Sequence, residues 1–270
     1  MTYQLDRASK VYPSRAGKVS SLEEVTFSVA RGERVALIGP SGAGKTTLFR
    51  LLNATLRPSS GSVRIEGQDV ARLSPRRLRA LRRRIGTVFQ QPPLVPSLTA
   101  LQNALCGRLG HQGVAGALRT LIAPAAVEVA RARAALEAVG LSSKATARAD
   151  ELSGGQQQRV AIARVLVQEP DVVLADEPFA SLDPGLTESL AELLFGAAAS
   201  GRTLVCTLHD VALALRYFPR VIGLSAGRVA FDVPAAEVGR EMLDALYRRG
   251  PRAGGAGSEG VLDVERAPAL

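Results

Sequence analysis

Short apolar runs separated by turns fill residues 1–38, in YQLDRASKVY, VTFSVARG and RVALIG. They predict antiparallel strands, the last of them buried and running into a glycine loop. TTLFRLLNAT predicts a helix and SVRIEGQDV a strand. SPRRLRALRRR predicts a second helix, with Ser74 as N-cap, Pro75 at the first helical position, and Leu78 and Leu81 three apart on the apolar side. IGTVFQ returns to strand. Residues 98–150 lose strand character and become rich in Ala and Leu, with Gly and Pro breaks near 110–124, which predicts an inserted helical lobe.

From residue 153 the alternation resumes: helix to Gln168, strand DVVLAD, helix from Pro184, strand TLVCTL, helix from Asp210, strand RVIGLSAG. Alternating strands and helices imply a parallel sheet covered on both faces. The expected organisation is a core of residues 1–97 and 151–248, the helical lobe 98–150, and a Gly-, Pro- and charge-rich tail 249–270 expected to be disordered. No internal repeat is visible.

Composition narrows the partners. Aromatics make up 4% of the chain and Trp is absent, so platforms for stacking single-stranded nucleic acid are scarce. The formal charge is +9, nearly all arginine, the lysines being Lys10, Lys18, Lys45 and Lys144. That balance permits contact with nucleotide, nucleic acid or an anionic membrane face without selecting one. Cys106 and Cys206 are too few for a disulfide framework and are expected to be reduced and buried, as in a cytoplasmic chain. The polar start MTYQLDRASK carries no signal-peptide pattern, and no apolar run reaches the roughly 18 residues of a membrane span. A membrane role is expected to be by docking.

Two turns suit anions. GPSGAGKT, Gly39 to Thr46, satisfies G-x-x-x-x-G-K-[ST] between an apolar strand and a helix. Its glycines let backbone N–H groups converge on phosphate oxygens, Lys45 reaches the β- and γ-phosphates, and the Thr46 hydroxyl suits Mg²⁺. LSGGQQQRV, residues 152–160, is a second turn opening onto a helix N-terminus. VVLADEP delivers Asp176 and Glu177 at the end of a buried strand, Asp176 suited to the Mg²⁺ shell and Glu177 to orienting or deprotonating a water.

GPSGAGKTT, LSGGQ, VVLADEP, SLD and His209 after TLVCTL stand in the order of an ABC-transporter ATPase, which the chain resembles over about residues 1–248. The resemblance implies an α/β fold: a P-loop NTPase core with a mostly parallel sheet flanked by helices, an N-terminal antiparallel β subdomain and an inserted α-helical lobe. It implies ATP and Mg²⁺ as cofactors and a head-to-tail dimer, in which Ser153, Gly154, Gly155 and Gln156 of one copy close over ATP held by the other. By the same resemblance, Gly39, Pro40, Ser41, Gly42, Ala43, Gly44, Lys45, Thr46 and Thr47 cradle the phosphates. Tyr12 stacks on adenine, and Asp183 belongs to a loop crossing the dimer interface. Gln90 touches Mg²⁺ and water and moves with the membrane partner; Thr46, Gln90 and Asp176 hold the metal. Glu177, His209, Gln90 and Lys45 form the catalytic set. Implied partners are membrane permease subunits and, through them, a periplasmic or lipid-anchored substrate-binding protein. The implied location is the cytoplasmic face of the inner membrane, peripherally bound, with no nucleic acid expected.

Within that family, FQQPPLVPSLTALQNALCGRLG, residues 89–110, and IGLSAGRVAFD are similar to phosphonate-import ATPases. Pro92–Pro93, Phe179 and the LHD at 208–210 depart from that subfamily's usual residues. Alternatives are the same motor serving phosphate, phosphite, an amino acid or a lipid, or a soluble ABC ATPase acting on nucleic acid. RRLRALRRR is the run that could support the last, and charge runs are usually solvated helix faces.

Overall fold

β1 (Tyr3–Ser14) and β2 (Gly17–Val29) form a long antiparallel pair, from Tyr3 opposite Val29 to Ser14 opposite Gly17. The chain then leaves this sheet. β3 (Arg34–Ile38) is not an antiparallel strand, as the sequence suggested, but lies in a second sheet and pairs in parallel. The reason is its sequel: it feeds the glycine loop and helix α1 (Lys45–Leu52), and a helical crossover returns the chain to parallel strands. β4 (Ser60–Ile65) rejoins the first sheet against β1. Glu66 and Gly67, at φ 53° and 71°, then turn it into the two-residue β5 (Gln68–Asp69). A pair of positive-φ residues makes a tight hairpin where the sequence read one continuous strand.

α2 (Pro75–Arg82) begins as expected, the Ser74 hydroxyl accepting from Arg77 N–H, and buries Leu81. β6 (Ile85–Val88) follows. Between 98 and 150 the chain forms helices and 3-10 turns, with one isolated antiparallel bridge from Thr99 to Arg148: α3 (Ala100–Leu105), a turn at Cys106–His111, α4 (Val114–Ile122) and α5 (Ala126–Ala138). The two ends of this stretch are sewn together, Ala149 N–H donating to Leu98 O at 2.9 Å and Ala100 N–H to Ala147 O at 2.9 Å. An insertion whose ends meet leaves the sheet around it undisturbed.

α6 (Gly154–Gln168), β7 (Val172–Asp176), α7 (Pro184–Ala199), β8 (Thr203–Thr207), α8 (Val211–Tyr217) and β9 (Arg220–Ser225) realise the predicted alternation. Among the described residues the antiparallel edge strand β10 (Arg228–Pro234) and helix α9 (Arg240–Arg248) follow. The sheets run β2-β1-β4-β5 and β10-β9-β3-β8-β7-β6. The computed structural model describes residues 2–14, 17–179, 184–199 and 201–248, so the expected tail and Asp183 lie outside the described residues.

The central strands are buried on both faces and sort their side chains by the period of two. Ala36, Ile38, Val173, Ala175, Leu204 and Cys206 enter the core shared with α3, α5, α6, α7 and α8. Val35, Leu37, Val172, Leu174 and Val205 enter the core shared with α1 and the antiparallel sheet. Each large aliphatic side chain so buried contributes about 1.5–3 kcal/mol. Of the two free cysteines Cys206 is buried as expected, whereas Cys106, on a 3-10 turn at the surface of the helical segment, is only half-buried.

Candidate functional site

The parallel strands end together, and the loops that follow them enclose a cleft of about 370 Å³. The turn 39–44 forms its floor. Gly39, Gly42 and Gly44 have φ of 154°, 76° and 100°, and a Cβ on Gly39 would stand 2.1 Å from Leu224 O. Only glycine lets the turn pass that close to β9. Lys45 opens α1, is 7% exposed, and folds back to donate to Gly39 O at 2.7 Å and Pro40 O at 3.1 Å. Burial lowers the pKa of its ammonium, against the opposing pull of the Glu177 and Asp176 carboxylates. A cation held by two carbonyls, beside two acids, is poised to exchange those carbonyls for phosphate oxygens.

Opposite the floor, β7 delivers the acids. Asp176 is buried, and its Oδ1 accepts from Thr207 Oγ1 at 2.5 Å. Glu177 takes φ 47° and its N–H donates to Thr207 Oγ1 at 3.0 Å and Thr207 O at 3.1 Å. One hydroxyl of the neighbouring strand thus fixes both acids. Glu177 Oε1 lies 2.5 Å from His209 Nε2, while its buried Oε2 has no partner among the described residues. Gln90, two residues past β6, is exposed and reaches the same cleft.

The cleft therefore gathers Ser41, Gly42, Ala43, Gly44, Lys45, Thr46, Thr47, Gln90, Glu177 and His209. Gly39 and Pro40 lie beneath it as acceptors for Lys45. Asp176 sits behind Glu177 and acts on Lys45 through its charge. Tyr12 is outside the lining, half-buried on β1 with Lys10 Nζ 5.5 Å from its ring centroid. A larger hollow of about 560 Å³ shares Glu177 and His209 and extends between α7 and α8 past Phe179, Leu213 and Tyr217.

The second glycine turn is elsewhere. Ser153 caps α6 in a reciprocal box with Gln156, Ser153 N–H donating to Gln156 Oε1 at 3.0 Å and Gln156 N–H to Ser153 Oγ at 3.4 Å. Ser153 and Gly154 are exposed, no described residue comes within 4 Å of a Cβ placed on Gly154, and none of residues 153–156 lines the cleft of their own chain. From this helix, side chains grip the strand and loop that carry Gln90. Gln168 Nε2 donates to Arg83 O and Ile85 O, Gln158 Nε2 to Phe89 O at 3.2 Å, and Arg164 Nη1 to Pro93 O at 3.1 Å.

Two contributors were missed from sequence. Ser21 of β2 lines the cleft and bonds Thr47 Oγ1 at 2.7 Å, and Thr207 fixes the acids. Thr207 left a signal, a hydroxyl in the otherwise apolar end of TLVCTL; Ser21 left none. Of the departures noted above, Asp210 is the N-cap of α8, accepting from Ala212 N–H at 2.8 Å, and Phe179 is buried.

The ABC transporter family model matches residues 22–180. The chain is 46% identical to phosphonates import ATP-binding protein PhnC 1 of Pseudomonas aeruginosa, over 98% of this chain and 100% of that one. It is 48% identical to phosphonates import ATP-binding protein PhnC of Anaeromyxobacter dehalogenans over 98% of its own length, but spans only 53% of that relative. Among solved structures, a dimeric bacterial ABC transporter cassette matches with a TM-score of 0.79 at 33% identity, over 86% of this chain and 98% of the other. A dimeric post-hydrolysis cassette bound to ADP and Pi matches with a TM-score of 0.77, also at 33% identity and over the same shares of both chains.

Proposed function

The chain belongs to the ABC transporter family, and from that premise we propose that it is the ATP-hydrolysing subunit of a phosphonate importer. The observation that carries the ATPase reading is the single cleft in which a glycine cradle and Lys45 face Gln90, Glu177 and His209. The cargo rests on the relatives' names alone, since a motor subunit does not touch what is carried.

ATP seats its phosphates on the N–H groups of residues 39–47, with Lys45 on the terminal ones. Glu177 Oε2, buried and without a partner among the described residues, is the acceptor for a proton of the attacking water, while His209 holds Oε1. The water oxygen bonds to the γ-phosphorus as the bond from that phosphorus to the β–γ bridging oxygen breaks, and Lys45 neutralises charge on the leaving ADP. The donor set suits Mg²⁺, which binds through one or two carboxylates plus phosphates: Asp176, the Thr46 hydroxyl and the Gln90 amide would hold it. Mg²⁺ held there would supply charge neutralisation to the phosphates. Tyr12 is assigned to the adenine side.

The turn 153–156, exposed at Ser153 and Gly154 and outside the lining of its own chain's cleft, is assigned to ATP on a second copy in a head-to-tail dimer. A two-fold interface forms both sites at once. In this reading residues 98–150 and the Gln90 loop carry the motion to permease subunits, and the chain sits at the cytoplasmic membrane face. Among the described residues no helix is long and apolar enough to cross a membrane.

The test is uptake of labelled 2-aminoethylphosphonate and of phosphate in cells lacking this protein, rescued with wild type or Lys45→Ala. Loss of phosphonate uptake alone, restored by wild type only, is the expected result. Unchanged phosphonate uptake would overturn the cargo assignment. Glu177→Gln should trap an ATP-bound dimer, and normal turnover in that variant would remove Glu177 as the base.

A further inference from the structure

Between Val70 and Val127 the chain carries nine arginines and not one aspartate or glutamate. The formal charge of that stretch equals the +9 of the whole chain, so the remainder is formally neutral. Within it, α2 places Arg76, Arg77 and Arg79 on its exposed surface, two of them in the first turn, where the helix dipole disfavours cations. No carboxylate among the described residues pairs with these three, whereas Arg72, Arg84, Arg108 and Arg119 do find acids outside the stretch.

The end of the basic helix touches the helical segment at one point. The Arg83 side chain packs 3.5 Å from where a Cβ on Gly110 would stand, and its buried Nε has no partner among the described residues. His111 next door is held below its ordinary pKa by burial and by the charges of Arg108 and Arg83, with Glu169 opposing. From this junction α4 runs on with Val114, Leu118 and Ile122, four apart along one face and 89%, 57% and 74% exposed. Val127 adds a fourth exposed aliphatic at 67%.

We infer that α2 and α4, on either side of this junction and from a stretch with no acid of its own, bind the surface of an anionic phospholipid bilayer directly. Arginines pair with headgroup phosphates, and a short row of aliphatic side chains enters the boundary between headgroups and acyl chains. An RNA would leave the aliphatic row without a purpose. It would also find only Phe89 as an aromatic in the whole stretch, against the stacking that single strands require. The inference rests on the importer reading only in that it gives the chain a membrane to meet.

Co-sedimentation of the purified full chain with vesicles tests it. One set is phosphatidylcholine alone; the other contains one quarter phosphatidylglycerol. Binding is expected to the anionic vesicles only, and to fade as salt rises. Arg76→Gln, Arg77→Gln and Arg79→Gln together should weaken it on the order of 100-fold, from about 1 kcal/mol per arginine. Val114→Ser, Leu118→Ser and Ile122→Ser together should weaken binding while keeping the anionic preference. Both triple variants should keep the ATPase activity of the parent, which shows that they fold. Equal binding to both vesicles, no binding to either, indifference to the arginine changes, or displacement of the vesicles by stoichiometric RNA would each overturn the inference. A failure of the uptake assay leaves the vesicle result readable, so the two proposals fall separately.

Discussion

Thr207→Val is the most informative single substitution in this protein. The side chain is fully buried, so valine replaces it with no change of volume worth considering, yet one hydroxyl serves both acids. Its donation to Asp176 Oδ1 at 2.5 Å is a buried hydrogen bond to a charged group, worth about 1.5–3 kcal/mol. Its acceptance from Glu177 N–H is a smaller loss, because that N–H also reaches Thr207 O at 3.1 Å. The valine variant should therefore lose about 2–3 kcal/mol, or roughly 5–10 °C in Tm. Thr207→Ser keeps the hydroxyl and gives up one buried methyl, costing about 1 kcal/mol. Thermal unfolding and steady-state ATP hydrolysis on the three proteins separate the cases. The valine variant should also fall at least tenfold in kcat, since 1.4 kcal/mol of misplacement at the acids suffices for that, while the serine variant stays near wild type. Wild-type Tm and kcat in the valine variant would refute the claim that this hydroxyl sets the two carboxylates. Equal damage in both variants would mean that the methyl, not the hydroxyl, is what matters.

Three other outcomes are expected. Lys45→Met should abolish ATP hydrolysis; because burial lowers the folded pKa of Lys45, the unfolded wild-type chain binds more protons as pH climbs toward about 10.5. Wild type should thus gain stability with pH in that window, and urea titrations should show that slope lost in the variant. Arg220 pairs with Asp232 at 2.7 and 2.6 Å and with Glu33 at 2.7 Å, clipping β9 to β10 and to the start of β3, so Arg220→Ala should lose about 2–4 kcal/mol in urea unfolding, with little recovery in Arg220→Lys. Burial pushes the Cys106 thiol up and the Cys206 thiol well up, so at pH 7 iodoacetamide should label both far more slowly in the folded chain than in urea, and rapid native labelling of Cys206 would show that β8 opens.

What could be read in the sequence was what is local. The glycine cradle, the capped start of α2 and the apolar strands with acids at their ends are each written within about ten residues, where period and turn chemistry act. The partners of those segments are not. Ser21 reaches the cleft because β2 passes beneath the turn 43–47, and Thr207 reaches Asp176 because β8 lies beside β7; both are facts of strand order. The sheet that β3 joins is hidden for the same reason, since its four apolar residues, Val35 to Ile38, fit either. β10 is hard to read because an edge strand without a fully buried side chain carries a weak pattern, whereas α9 carries a legible one, Met242, Leu243, Leu246 and Tyr247 recurring at helical spacing in REMLDALYR.

The grip of α6 on the Gln90 loop has a consequence for how freely that loop can vary. Gln158 and Arg164 hold Phe89 and Pro93 by their carbonyl oxygens, and every residue type carries one. The anchor is therefore indifferent to spelling: substitutions at Gln91 and Pro92, beside the functional Gln90, change what the loop presents without loosening how it is held. Pro92 and Pro93 illustrate it, since proline lacks the N–H but keeps the acceptor that Arg164 uses. A family of such chains could exchange permeases by rewriting this loop alone, leaving the lever beneath it untouched.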